Sequence, residues 1–107
     1  MMGKREKIAA PAQDTVRSGK INVRVIDEEN GYQKLEGIRA IRISSSDYRL
    51  LILEDFTDTL GRIEGDVTFL LADREVKLEN ILGYYKHQHN EFMLLVQEDK
   101  DGWYEKL

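Results

Sequence analysis

A chain of 107 residues with 16 Lys and Arg against 20 Asp and Glu, a formal net charge of −4, is one domain's worth and long enough to bury a core without covalent staples. It contains no Cys, which excludes a disulfide framework, a thiolate zinc site and a cysteine nucleophile, and fits a reducing compartment. No segment approaches about 18 continuous apolar residues, and Lys4, Arg5 and Lys7 lead into Ile8-Ala9-Ala10-Pro11 rather than a signal-like apolar run, so a cytoplasmic chain without membrane insertion is expected.

Residues 1 to 19 combine Lys, Arg, Ala, Gln and Ser with the single proline, Pro11, and show no apolar period. They are expected to form a disordered basic arm. From Ile21 the period becomes two: Ile21, Val23 and Val25 alternate with Asn22 and Arg24, and Asp27-Glu28-Glu29-Asn30-Gly31 has turn composition. Leu35 to Ile43 repeats the alternation, and the polar run Ser44-Ser45-Ser46-Asp47 turns the chain. Tyr48 to Leu53 is nearly continuous in apolar residues, as a strand buried on both faces would be. The acids Glu54, Asp55 and Asp58 follow, with Phe56 to Leu60 as the best candidate for a single helical turn.

Gly61 and Gly65, four apart around an apolar position, suit a strand that ends in a turn or bulge. Val67 to Leu71, Val76 to Tyr85 and Phe92 to Val96 complete the strand pattern, reversing at Asp73-Arg74 and at His87 to Asn90. Short strands separated by turns of a few residues predict an all-β fold, a single antiparallel β-sandwich of about eight strands. The expected division is a disordered arm over 1–19, a sandwich over 20–98 and a C-terminal tail over 99–107.

Charge is uneven along this pattern. Residues 1–20 carry five Lys or Arg against two acids, and residues 21–107 carry eleven against eighteen. An acidic domain repels phosphate backbones, so nucleic-acid binding would need a local basic face or the arm.

In order and spacing the segment Ile21 to Glu98 resembles the N-terminal β-sandwich domain of the epsilon subunit of F-type ATP synthases. The residues that carry the likeness are Ile21-Asn22-Val23-Arg24-Val25-Ile26, then Leu35 to Ile43 with Glu36-Gly37 ahead of alternating aliphatics. Leu51-Ile52-Leu53 follows with a loop into Leu60 and Gly65, and finally Leu82-Gly83-Tyr84-Tyr85, Asn90 and Phe92 to Val96. Glu54-Asp55-Phe56-Thr57-Asp58 stands where that family has Pro-x-His-Ala-Pro, Tyr84 replaces the second of two glycines, and the nine residues after Glu98 leave no counterpart of the family's C-terminal helical hairpin. The resemblance implies a non-catalytic module without a cofactor, which docks through a sheet face and loops onto a protein partner, in that family the rotor stalk and membrane ring. A shorter stretch, Val67 to Val76 with Leu82-Gly83-Tyr84 and a later Asn, is similar to the first motif of Sm-like RNA-binding barrels. An RNA-binding small barrel is therefore an alternative.

A third reading is a small enzyme or metal-binding protein. His87-x-His89 is the only His pair, and imidazoles two apart on an extended segment point one way, as a metal would require; the competing account is a polar hairpin tip turned by Asn90. Glu54, Asp55 and Asp58 could do general acid and base work if burial separates their pKa values, or form a solvated loop with Asp55 or Thr57 as a cap. Ser44-Ser45-Ser46 lacks the glycine flanks of a nucleophile elbow and reads as a turn. Strand alternation sends Tyr84 and Tyr85 to opposite faces, so one of them is expected outside the core. The residues expected to meet a partner are Glu54, Asp55, Phe56, Asp58, Tyr84 and the aromatic pair Trp103-Tyr104 in the charged tail.

Overall fold

A computed structural model describes residues 19–28, 31–99 and 103–106. The expected arm, 1–19, falls outside them apart from Gly19. The described residues form eight strands and no helix: β1 (Ile21–Asp27), β2 (Gly31–Ile38), β3 (Ala40–Ser45), β4 (Arg49–Leu53), β5 (Thr59–Leu70), β6 (Glu75–Gln88), β7 (Glu91–Asp99) and β8 (Trp103–Lys106). Along the sheet the order is β2-β1-β7-β6-β5-β3-β4, with β8 added to β6. All pairings are antiparallel except β1 with β7, which run parallel from Asn22 opposite Glu91 to Asp27 opposite Val96.

One sheet becomes two layers because its longest hairpin bends. The first halves of β5 and second half of β6 lie beside β7, β1 and β2; the second half of β5 and first half of β6 lie beside β3, β4 and β8. The corner falls at Gly65, where the register slips before Val67, and at Asn80, whose backbone has φ 58°. The Asn80 amide donates to Asp66 Oδ1 at 3.0 Å and holds the two bent strands together. A second crossing between layers lies at Arg39, between β2 and β3, where the Arg39 amide donates to the Leu70 carbonyl at 2.8 Å. Bulges and bends of this kind are how strands pass from one layer to the other.

Inward residues of both layers make one core. Ile21, Val23, Val25, Phe92, Leu94 and Tyr85 from one side meet Ile41, Ile43, Ile52, Val67 and Phe69 from the other. The Phe69 and Phe92 rings meet edge to face across the layers at 6.0 Å, and Tyr85 stacks on Phe92 at 5.5 Å. Each fully buried aliphatic or aromatic side chain of this kind stabilises by roughly 1.5–3 kcal/mol.

The all-β, largely antiparallel reading holds, with three local differences. The apolar run before Glu54 is not a strand buried on both faces: β4 is an edge strand in which only Ile52 is buried and Leu51 is 47 % exposed. Phe56 to Leu60 is not a helical turn, because Asp55 takes φ 61° and the chain extends into β5. Ser44 and Ser45 extend β3, and the reversal is carried by Ser46-Asp47, closed by the Ser45 amide to the Tyr48 carbonyl at 2.9 Å.

Candidate functional site

Two places gather the residues singled out in the sequence. The first is the end of the sandwich where the loop after β4 meets the β6–β7 hairpin. That hairpin turns on two residues, His89 (φ 52°) and Asn90 (φ 59°). Two successive positive φ values define the tight turn that matches strand twist, and Asn tolerates them because its short amide bonds locally. Here the amide bonds across the gap: the Asp55 N–H donates to Asn90 Oδ1 at 2.8 Å, and Asn90 Nδ2 donates back to Asp55 Oδ1 at 3.0 Å. The Asn22 amide adds a bond to the Asn90 carbonyl at 2.9 Å, and Asn22 Nδ2 donates to Glu91 Oε2 at 2.9 Å. Glu54 Oε2 accepts from the Gly19 amide at 3.0 Å. The acidic loop and the hairpin thus form one hydrogen-bonded corner, with Glu54 and Asp55 employed in holding it.

Behind the corner, Phe56 packs against the core and its ring lies 6.4 Å from that of His87. His87 is 0 % exposed, also 6.2 Å from Phe92, and neither ring nitrogen has a hydrogen-bond partner. Burial lowers its pKa below the ordinary 6.5, while the Asp58 carboxylate pulls the other way. His89, by contrast, is exposed in the turn, so the two imidazoles do not share a side and the extended geometry expected of a metal pair is lost at the positive φ of His89. Among the described residues no group of three or more His, Asp or Glu is placed to hold a metal ion. Asp58, Thr59, Leu60, Lys86, His87 and Gln88 line an open depression of about 340 Å³ beside this corner.

The second place is the outer face of the layer built from β2, β1, β7, β6 and β5. Tyr85 is buried and Tyr84 exposed, as strand alternation requires. Tyr84 lies opposite Leu95 and Arg62, Leu95 opposite Ile26, and Ile26 opposite Tyr32, making one row across five strands. The next row runs Lys34, Arg24, Met93, Lys86, Leu60. Six of the seven large apolar side chains exposed among the described residues, all but Leu51, fall in these two rows, Leu60 at 75 % and Tyr32 at 60 % being the most open. These six side chains therefore stand together on one face rather than scattered singly over the surface. From the sequence only Tyr84 was picked out here; the rest are single outward apolar residues whose alignment needs the strand order.

Trp103 and Tyr104 lie on β8, opposite Leu78 and Lys77 of β6, in the other layer.

No protein-family model matches the chain, and no match is found among curated proteins. Among solved structures, the cryo-EM structure of the Tetrahymena thermophila mitochondrial ATP synthase, central stalk and c-ring, contains a chain of similar fold: TM-score 0.61 and 15% identity over 80% of this chain and 69% of that one. The chain therefore shares its fold with a chain of that central stalk and ring assembly.

Proposed function

We propose that the chain is a non-enzymatic protein-binding module, an epsilon-like subunit or accessory of a rotary ATP synthase. The observation that carries this reading is the outer face, six exposed apolar side chains in two adjacent rows, on a fold shared with a chain from such an assembly. Subunits of large complexes keep apolar surface for neighbours, and aromatic and Arg residues carry much of the binding there. The polar corner of Asp55 and Asn90 braces the loops, the Asp55 backbone N–H and its carboxylate both bonding the Asn90 side-chain amide. Affinity purification of the tagged protein from its own cells at moderate salt, with mass spectrometry of what accompanies it, tests the assignment. Stalk or ring subunits are the expected companions; reproducible isolation with unrelated proteins alone would sink it.

A further inference from the structure

We infer that the outer face is a seat for one amphipathic helix of a partner protein, its apolar stripe edged by Asp and Glu, lying across the strands. The inference rests on the protein-binding reading above and specifies what binds. The strands beneath the strip leave little choice of mode. β1, β7 and β6 each have a neighbouring strand on both sides, so a partner could add as a strand only at the rims, along β2 or the first half of β5, and not over the middle of the strip where Ile26, Leu95, Met93 and Tyr84 stand. Recognition of that middle goes through side chains standing on the sheet, and the element that buries a narrow apolar stripe on a sheet face is a helix.

The strip has a helix's footprint. Five strands about 4.8 Å apart give a length of roughly 19 Å between the outermost. Two rows two residues apart are separated by about 7 Å. A helix roughly 10 Å across with 1.5 Å rise per residue covers such a strip with about 13 to 16 residues. Beyond Leu60 the strip runs into the depression bounded by Asp58, Lys86 and Gln88, room for one larger side chain at that end.

Charge sets the sign of the helix flanks. The ten positions hold six apolar residues and four cations, Arg24, Lys34, Arg62 and Lys86, and no carboxylate, in a chain that has 20 Asp and Glu. Lys86 has no ion pair among the described residues. The other three meet glutamates just outside the strip, Arg24 with Glu91 at 3.6 Å, Lys34 with Glu36 at 3.3 Å and Arg62 with Glu64 at 3.4 Å. These pairs are about half exposed and so contribute little, and a partner's carboxylates can replace them at small cost. Aliphatic side chains outnumber aromatic ones four to two on the strip, which suits a helix better than stacked bases.

The test places a photoreactive benzoylphenylalanine at Tyr84 of the full chain in its own cells, with the same group at Leu51, exposed on the opposite layer, as the control. Cross-linked peptides are then sequenced. A segment with apolar residues at helical spacing flanked by acids, captured from Tyr84 and not from Leu51, is the expected result. Its yield falls at least tenfold with Leu95→Glu and severalfold with Lys86→Glu, in variants whose melting temperature matches the parent's. Adducts with RNA, lipid, a second copy of the chain or a basic or non-helical segment overturn the inference, as does a Tyr84 yield no higher than the Leu51 control. A helix from a protein outside the ATP synthase would uphold it and remove the proposed assembly; ATP synthase subunits captured only from other positions would do the reverse.

Discussion

Replacing Gly65 with Ala tests whether the two layers depend on one bend. Gly65 sits at φ 154°, a conformation that side-chain-bearing residues rarely adopt, and a Cβ there would run into the Ser44 carbonyl oxygen. That oxygen cannot step aside freely. Ser44 and Ser45 lie opposite Asp66 and Gly65 in the β3–β5 ladder, Ser45 Oγ accepts from the Glu64 amide at 2.9 Å, and the Ser46 amide donates to the Glu64 carbonyl at 2.9 Å. Backbone strain of about 1–3 kcal/mol and the loss of two hydrogen bonds at about 1 kcal/mol each give roughly 3–5 kcal/mol. Against a typical total of about 5–15 kcal/mol that is a severe loss. It corresponds to a fall in Tm on the order of 15–30 °C for a domain this size. Gly37→Ala is the control, because Gly37 also has positive φ, 75°, but a Cβ there meets nothing within 4 Å. It should lose only about 1–2 kcal/mol. Urea and thermal unfolding followed by circular dichroism measure both; equal losses, or a Gly65→Ala Tm within about 3 °C of the parent, would refute the claim that this close approach makes the corner.

The buried His87 makes stability depend on acid. Its lowered pKa means the unfolded chain takes up the proton first, so its full contribution is present above pH 6.5 and is lost as pH falls below that value. His87→Leu should flatten this limb of the stability–pH curve and raise stability at pH 7.5 by about 1–3 kcal/mol, since two unpartnered buried nitrogens are removed; an unchanged acid limb counts against it. Asn90→Gly keeps the turn's backbone and deletes both bonds to Asp55, so chemical denaturation should register a loss of about 1–2 kcal/mol, and no change would mean that the corner does not brace the loops. The Tyr48 hydroxyl donates to the Arg62 carbonyl at 2.6 Å, and its pKa is pushed up to about 12, first by burial and then by Tyr85 and Asp47. Its contribution is therefore intact below pH 10 and lost as pH rises toward 12, and Tyr48→Phe should remove a phenolate step near pH 12 from an ultraviolet titration; persistence of that step would refute its assignment to Tyr48.

How far the sequence could be read follows from the range of each interaction. Ile21, Val23 and Val25 announce a half-buried strand because side chains alternate with a period of two, and all three are fully buried. Asn90 announces its turn by its own chemistry, and Gly65 its bulge, each within a few residues of the feature it makes. The run Tyr48 to Leu53 misleads because burial on the second face needs a layer packed over it, and among the described residues β4 is an edge strand with Leu51 left exposed. The same holds for His87 and His89: their spacing is visible, but the turn that separates them and the rings that enclose one of them are not.

Local alternation determined that this chain is all-β and which residues face inward, since a one-residue slip would turn every apolar side chain to water. The parallel pairing of β1 with β7, the corner tying Asp55 to Asn90 and the rows joining Tyr32 to Arg62 were decided only by the tertiary structure. Their partners are as much as 69 residues apart in the chain, and which strands become neighbours is a property of the whole packed core rather than of any segment within it.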